Sequence, residues 1–442
     1  MEIKLSDHFT YKKLFKFTLP SIAMMIFTSI YGVVDGFFVS NFVGKTPFAA
    51  VNLIWPFLMI MGTVGFMFGT GGSAIVAKTL GEGDHKKANE YFSLYIYVSF
   101  ILGVIIAFFG IVFLPQVTTL IGGEGEMHKN AVLYGRINLL ALPFYILQME
   151  FQTFFVTAEK PKLGLYTTVA SGVTNMVLDA LLVGVFSFGI VGAAFATALS
   201  QVVGGVIPLI YFAKKNDSLL SLGKTRYYGK AIVKACVNGS SELMSNISMS
   251  VVGMLYNVQL LKYAGEDGVA AYGVIMYVSF IFAAAFIGYS IGTAPVFGFN
   301  FGAQNHTELK NVLNKSVKVI CISAIFMVVT GIVFAAPLSK FFVGYDPELL
   351  SLTCKGLKIY SLCFLFMGMA IFGSGFFTAL SDGVTSAFIS FLRTLVFQIL
   401  AVMLLPLIFK VDGIWISVVV AEFMAAFLSV VMMLLKRKQF HY

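Results

Sequence analysis

Twelve stretches of the chain, each about 20 residues or longer, are almost purely apolar, and short polar connections separate them. They lie near Leu14–Phe42, Pro47–Ala77, Tyr91–Leu114, Tyr134–Thr157, Leu163–Phe186, Ile190–Ala213, Ala231–Leu261, Val269–Phe299, Val317–Phe341, Leu352–Thr378, Val384–Phe409 and Ile414–Leu435. A helix rises about 1.5 Å per residue, so each stretch matches a hydrocarbon core of roughly 30 Å. The pattern predicts an all-α membrane protein of twelve transmembrane helices.

The pattern also repeats. At a constant offset of 221 residues Gly44 matches Gly265, Gly71 matches Gly292, Gly81 matches Gly302, His85 matches His306, Thr157-Ala158 matches Thr378-Ala379, and Gly192 matches Gly413. Each half then holds six spans, an even number, so the two halves share one orientation and form parallel pseudo-repeats. The expected division is an N-lobe over 1–213, a cytoplasmic linker over 214–230 and a C-lobe over 231–442.

Composition excludes the soluble classes. Hydrophobic residues make up 58% of the 442 and charged residues only 12%, with a mean hydropathy of +0.89, far beyond what a soluble core needs. The net charge of +9 does not mark a nucleic-acid surface, because the basic residues are scattered through short connections. Alternate connections and the termini hold 21 of the 30, the opposite connections eight, and Arg393 lies inside a span. The positive-inside rule therefore places both termini in the cytoplasm of a multi-pass inner (plasma) membrane protein. No cleavable leader is expected, since Met1–Lys16 is polar and the first apolar run is full length. Cys236, Cys321, Cys354 and Cys363 have no metal-type spacing and read as free thiols, and His85 and His306 read as turn residues. Gly72–Thr79 approaches a phosphate loop but has Ala77 where glycine must precede the lysine, so no ATP-driven motor and no enzyme activity are expected.

The chemistry is left to polar groups inside spans. Asn175 and Asp179 stand four residues apart, on one helix face, in the apolar run 163–186. A carboxyl at that depth is expensive, roughly 2.5 kcal/mol or more, and such groups are normally buried in protein and functional. Asp35, Glu150 and Thr197 lie in the same half, and the small residues of the sixth span, Gly192 to Ser200, let a neighbour bring Thr197 close to Asp179. The reading is a cation or proton site; the alternative is a protonated acid joining two helices. In the second half the 221 offset puts Tyr256 and Leu400 where Asp35 and Asp179 stand, so the carboxylates are not duplicated. Glu150, Glu242, Arg393 and Glu422 read either as internal structural groups or as a substrate or second-ion site.

These residues carry a resemblance. Leu19-Pro20 with Tyr31-Gly-Val-Val-Asp35, the Gly-rich second span ending in Leu80-Gly81, Asn175-Met-Val-Leu-Asp179 and Gly192-Ala-Ala-Phe-Ala-Thr197-Ala resemble the MATE (multidrug and toxic compound extrusion) transporters over essentially the whole chain. The resemblance implies that Asp35, Asn175, Asp179 and Thr197 match the N-lobe cation or proton site of prokaryotic members, with sodium possible there and no other metal. It implies that Pro20 matches the proline at which the first helix bends, and that organic cations and amphipathic drugs leave in exchange for protons or sodium, without a cofactor. Glu242 lies one to two turns early for the glutamate of some sodium-coupled members, and Leu352–Thr378 contains no acid, so their C-lobe site does not transfer. A monomer in the lipid bilayer is expected. A lipid-linked oligosaccharide flippase of the same superfamily stays open as the rival.

Overall fold

The computed structural model describes residues 3–442; Met1 and Glu2, the start of the polar leader segment, lie outside the described residues, as do the side chains of Val33, Gly36, Phe37, Ser40 and Lys45. The described chain is helical, with no strand among the described residues. The first half comprises α1 (Tyr11–Phe38, continuing as a π-helical turn Val39–Val43), α2 (Lys45–Gly81), α3 (His85–Leu120), α4 (Gly125–Thr157), α5 (Pro161–Leu178, continuing as a π-helical turn Asp179–Val185) and α6 (Gly189–Ala213).

The second half comprises α7 (Gly229–Asn238), α8 (Ser240–Gly302), α9 (His306–Val333), α10 (Ala335–Val343), α11 (Pro347–Ser361), α12 (Phe364–Ala379), α13 (Gly383–Phe391, continuing as a π-helical turn Leu392–Val396) and α14 (Phe397–Phe440). α8 breaks at Gly265 and α14 at Lys410, both with positive φ, so each supplies two spans. With α11 and α12 joined by a 49° bend as one span, and α9–α10 as another, the chain crosses twelve times. Large apolar side chains such as Phe108, Phe326 and Leu407 are 62–70% exposed on the outer faces, as lipid contact requires.

The repeat is written in the turns. Left-handed residues fall 221 apart at Gly44 and Gly265, Gly83 and Gln304, and Gly189 and Lys410. The Asp84 side chain caps α3 by accepting from the Lys87 N–H, as Asn305 caps α9 by accepting from Glu308 N–H. One residue is gained before the fifth span of the second half: the left-handed Glu159 and Ser381 are 222 apart, as are the starts of α5 and α13.

Three sequence expectations need correction. The seventh apolar run, 231–261, is broken at Gly239, where a Cβ would come within 2.0 Å of the Met67 carbonyl oxygen; α7 is held as a separate element because Asn238 Nδ2 donates to the Gly71 and Thr378 carbonyls at 3.2 and 2.9 Å. The ninth run is interrupted at Phe334, and the tenth bends between Ser361 and Phe364. His306 opens α9 at its turn, and the chain end brings the His441 ring to 5.2 Å from it. The polar connection 214–228 is clamped to α3. Ser221 N–H donates to Asn89, Gly223 N–H to Ser93, and Tyr228 OH to Glu90. Lys160 sits 2.9 Å from Asp217 in this segment and holds its carboxyl below the usual carboxylate range.

The halves meet at their lysine-rich ends. The Cβ that Gly302 lacks would lie 2.0 Å from the Lys78 carbonyl oxygen, and that of Gly288 would meet Ser21 and Ile22 of α1. A strap, residues 3–10, crosses the seam: Leu5 N–H donates to Glu159 of the first half at 2.6 Å, while Phe9 N–H and His8 bond Glu308 of the second at 2.8 and 2.7 Å. Leu5 and Phe9 are fully buried beneath it.

Candidate functional site

α5 starts on Pro161, a residue suited to the first turn because its missing N–H would have no helical partner there. Its face Thr168, Ser171, Asn175 and Asp179 is buried throughout, Asn175 at 1% and Asp179 at 0% exposure. At Asp179 the helix widens: its N–H is shared between the Asn175 and Met176 carbonyls, and the π-helical turn begins. Such turns break the α-helical phase and recur at functional sites.

Packing gathers the partners. Gly172 of α5 admits Phe27 and Tyr31 of α1, which seats Asp35 against α5, and Gly192 of α6 lies on the Leu182 carbonyl of the widened turn. Asp35 then faces Asp179, Asn175 and Thr197. Thr197 Oγ1 lies 3.5 Å from Asp35 Oδ1 and 3.1 Å from its own Ala193 carbonyl, so the expected approach to Asp179 is made to Asp35 instead. Both carboxylate oxygens of Asp179 and Oδ1 of Asn175 are buried without a hydrogen-bond partner. Two carboxyl groups in one apolar enclosure disfavour double ionisation, through desolvation and mutual repulsion. The donor set, all oxygen, suits protons or one hard cation. Among the described residues no group of three or more His, Cys, Asp or Glu gathers for another metal.

The other sequence candidates lie apart. Glu150 is fully buried but points toward α3, where Ser99 donates to Oε2, with Gly69 of α2 against its backbone; its Oε1 has no partner. Arg393 and Glu422 form a forked pair at 2.9–3.2 Å, joining the π-helical turn after α13 to α14. Glu242 stands at the start of α8, half-buried, with Arg393 as its charged neighbour. Pro20 is buried inside α1.

Sequence reasoning missed Tyr134 and Asn138 of α4, which sit against Thr197 on the site's inner wall. Asn138 and Gln201 line a small cleft with Trp55, Met59 and Tyr145. The available signal was their spacing: Tyr134, Asn138, Gln148 and Gln152 fall on one helical face of α4, where an apolar stripe would otherwise stand.

The MatE family profile matches residues 20–181 and 243–404, one copy in each half. The chain is 27% identical over 422 residues to the multidrug export protein MepA of Staphylococcus haemolyticus, covering 95% of this chain and 92% of that one. It is 26% identical over 366 residues to MepA of Staphylococcus aureus, covering 81% of each. A solved structure described as the outward-facing conformation of a multidrug resistance MATE family transporter of the MOP superfamily superposes with a TM-score of 0.93, at 22% identity, over 98% of this chain and 97% of that one.

Proposed function

The chain belongs to the MatE family, and we propose that it is a secondary active multidrug exporter that exchanges organic cations for protons or sodium by alternating access. The observation that carries the reading is the meeting of Asp35 and Asp179, from two helices, with Asn175 and Thr197 in one buried site. Binding a proton or sodium there neutralises the pair; releasing it restores a negative charge beside α1.

α1 is the element that transmits the change. Near one end it carries Asp35; near the other, Thr18, Ser21 and Ile22 lie against Gly288 and Gly292 of the second half. A shift of α1 at the carboxylates thus acts on the contact that closes the lysine-rich side. The proposed division is an N-lobe (1–213), a linker (214–230) and a C-lobe (231–442), both termini are cytoplasmic, and the closed lysine-rich side makes this the outward-facing state. One charge moved through ~100 mV supplies about 2.3 kcal/mol, which supports roughly a 40-fold substrate gradient.

A lipid-linked oligosaccharide flippase would need basic groups lining its cleft for a pyrophosphate, and Arg393, the deepest cation, is engaged by Glu422. The test is uptake of a fluorescent organic cation into proteoliposomes under an imposed proton or sodium gradient. One gradient drives the wild type and fails with Asp179→Asn; an Asp179→Asn protein that still concentrates dye would rule the site out.

A further inference from the structure

The polar face of α4 does not stop at the coupling site. Tyr134 to Gln152 spans 18 residues, about 27 Å of helix, and Gln152 lies five residues from the helix end at Thr157. Gln148 Nε2 donates to Ser171 Oγ of α5 at 3.2 Å; Ser171 Oγ donates to the Ser200 carbonyl of α6 at 2.7 Å; Ser200 Oγ donates to the Thr197 carbonyl at 2.8 Å; and Thr197 reaches Asp35. The chain of contacts runs from the carboxylates toward the lysine-rich side, through the interior of one half and away from the cleft between the halves.

Several of its polar atoms are unsatisfied. Besides Asn175 and Asp179, the atoms Tyr134 OH, Asn138 Oδ1, Gln148 Oε1, Gln152 Nε2 and Gln201 Oε1 are buried with no partner. Buried polar atoms in such a row are costly unless water reaches them. The second half is an internal control. Where α12, α13 and α14 take the places of α4, α5 and α6, the polar groups close on one another. Ser374 Oγ meets Ser386 and Ser390 at 2.8 Å, Thr378 meets Ser386 at 2.7 Å, and Arg393 forks onto Glu422. The matching junction of the second half thus pairs its central hydroxyls and charges and leaves the Ser381 and Ser429 hydroxyls without partners, whereas in the first half the amide and phenol groups along α4 keep unpartnered atoms.

We propose that the junction of α4, α5 and α6 is a hydrated seam that carries protons between the Asp35–Asp179 site and the cytoplasm, with Gln148 and Ser171 as its switch. The inference rests on the coupling role given to that site and names the ion as a proton. No carboxylate stands along the seam beyond the site, since Glu150 points to α3, so a dehydrated sodium ion would meet only neutral amide, hydroxyl and carbonyl oxygens there and no countercharge. Protons pass instead, one entering at the aspartates as another leaves at the far end, while the drug uses the cleft. In this conformation the Ser171 and Ser200 hydroxyls point at backbone carbonyls, acceptors that cannot pass a proton on, so the seam is interrupted while the cleft faces outward. Turning those hydroxyls onto water connects it.

The experiment uses the full chain in proteoliposomes, with a proton gradient driving ethidium uptake, in H2O and D2O. Gln148→Met, which keeps the side-chain volume, and Ser171→Ala should each lower the maximal rate by about tenfold or more, leave the KM for ethidium unchanged and alter the solvent isotope effect. Ser171→Thr should restore the rate, and Ser386→Ala, in the matching junction of the second half, should behave as wild type. If both seam variants keep the wild-type rate and isotope effect while Asp179→Asn is inactive, the seam is overturned and the coupling site stands. Lower thermal stability with unchanged transport also overturns the seam, by making these residues structural. If Asp179→Asn itself transports, the coupling reading fails first.

Discussion

Thr197 of α6 stands 3.5 Å from Asp35 of α1, a side-chain contact that ties the buried carboxylates to the sixth span. Because Thr197 also bonds its own helix at Ala193, its hydroxyl is free to choose between the aspartate and the backbone as the charge on Asp35 changes. Thr197→Ala should weaken binding of the coupling ion by about fivefold, the equivalent of one hydrogen bond near 1 kcal/mol, and Thr197→Ser should restore it. Half-maximal activation of dye uptake by the ion is the measurement.

Closure of the lysine-rich side depends on the missing Cβ of Gly302, which would otherwise lie 2.0 Å from the Lys78 carbonyl oxygen. Backbone cannot yield there as a flexible side chain would. Gly302→Val should hold the halves apart at that end and raise the inward-open population. Accessibility of a cysteine placed at Ala74 to a membrane-impermeant thiol reagent applied from the lysine-rich side, in a background lacking the four native thiols, reads it. Unchanged labelling would refute the closure contact.

The strap makes a separate prediction. Glu308 accepts from both Phe9 N–H and His8, and Lys315 and Asn311 hold the Phe9 carbonyl at 2.7 and 3.1 Å. Glu308→Ala leaves a buried N–H unpaired at a cost of about 1–3 kcal/mol. The expected result is faster proteolysis within residues 3–10 and a larger inward-open population by the same thiol assay.

The Arg393–Glu422 pair should behave as a buried ion pair. Glu422→Gln strands the guanidinium and should destabilise the protein by about 3–5 kcal/mol, whereas Arg393→Met with Glu422→Met should recover most of the loss, because desolvation of both charges is avoided together. Thermal unfolding in detergent distinguishes the single from the double variant.

Much of this architecture was legible because a bilayer imposes a length on every span and a polar connection ends it. The repeat was legible because left-handed turns need glycine at Gly44 and Gly265, or tolerate few other residues. What periodicity could not show was where helices break within long runs: α7 ends at Gly239 because its backbone packs on Met67 of the other half, and α9 ends at Phe334 between segments that stay apolar on both sides. Asn175 and Asp179 stood out because charge and amide are rare in such runs. The α4 face did not, since Tyr134, Asn138, Gln148 and Gln152 are neutral and only their helical spacing sets them apart in the sequence; in the folded chain their unpartnered atoms do. The strap was likewise hidden, its two anchors Leu5 and Phe9 lying in a polar segment and bonding loops about 150 and 300 residues away in sequence.

On the proposed mechanism, the coupling ion and the drug cation compete through the Asp35–Asp179 pair. That competition is tested most directly by adding the drug cation to purified protein in weakly buffered detergent at neutral pH and following the pH. Wild-type protein should release protons as the drug binds, and the Asp35→Asn, Asp179→Asn double variant should bind the drug with no release. Equal proton release from wild type and the double variant would contradict the account.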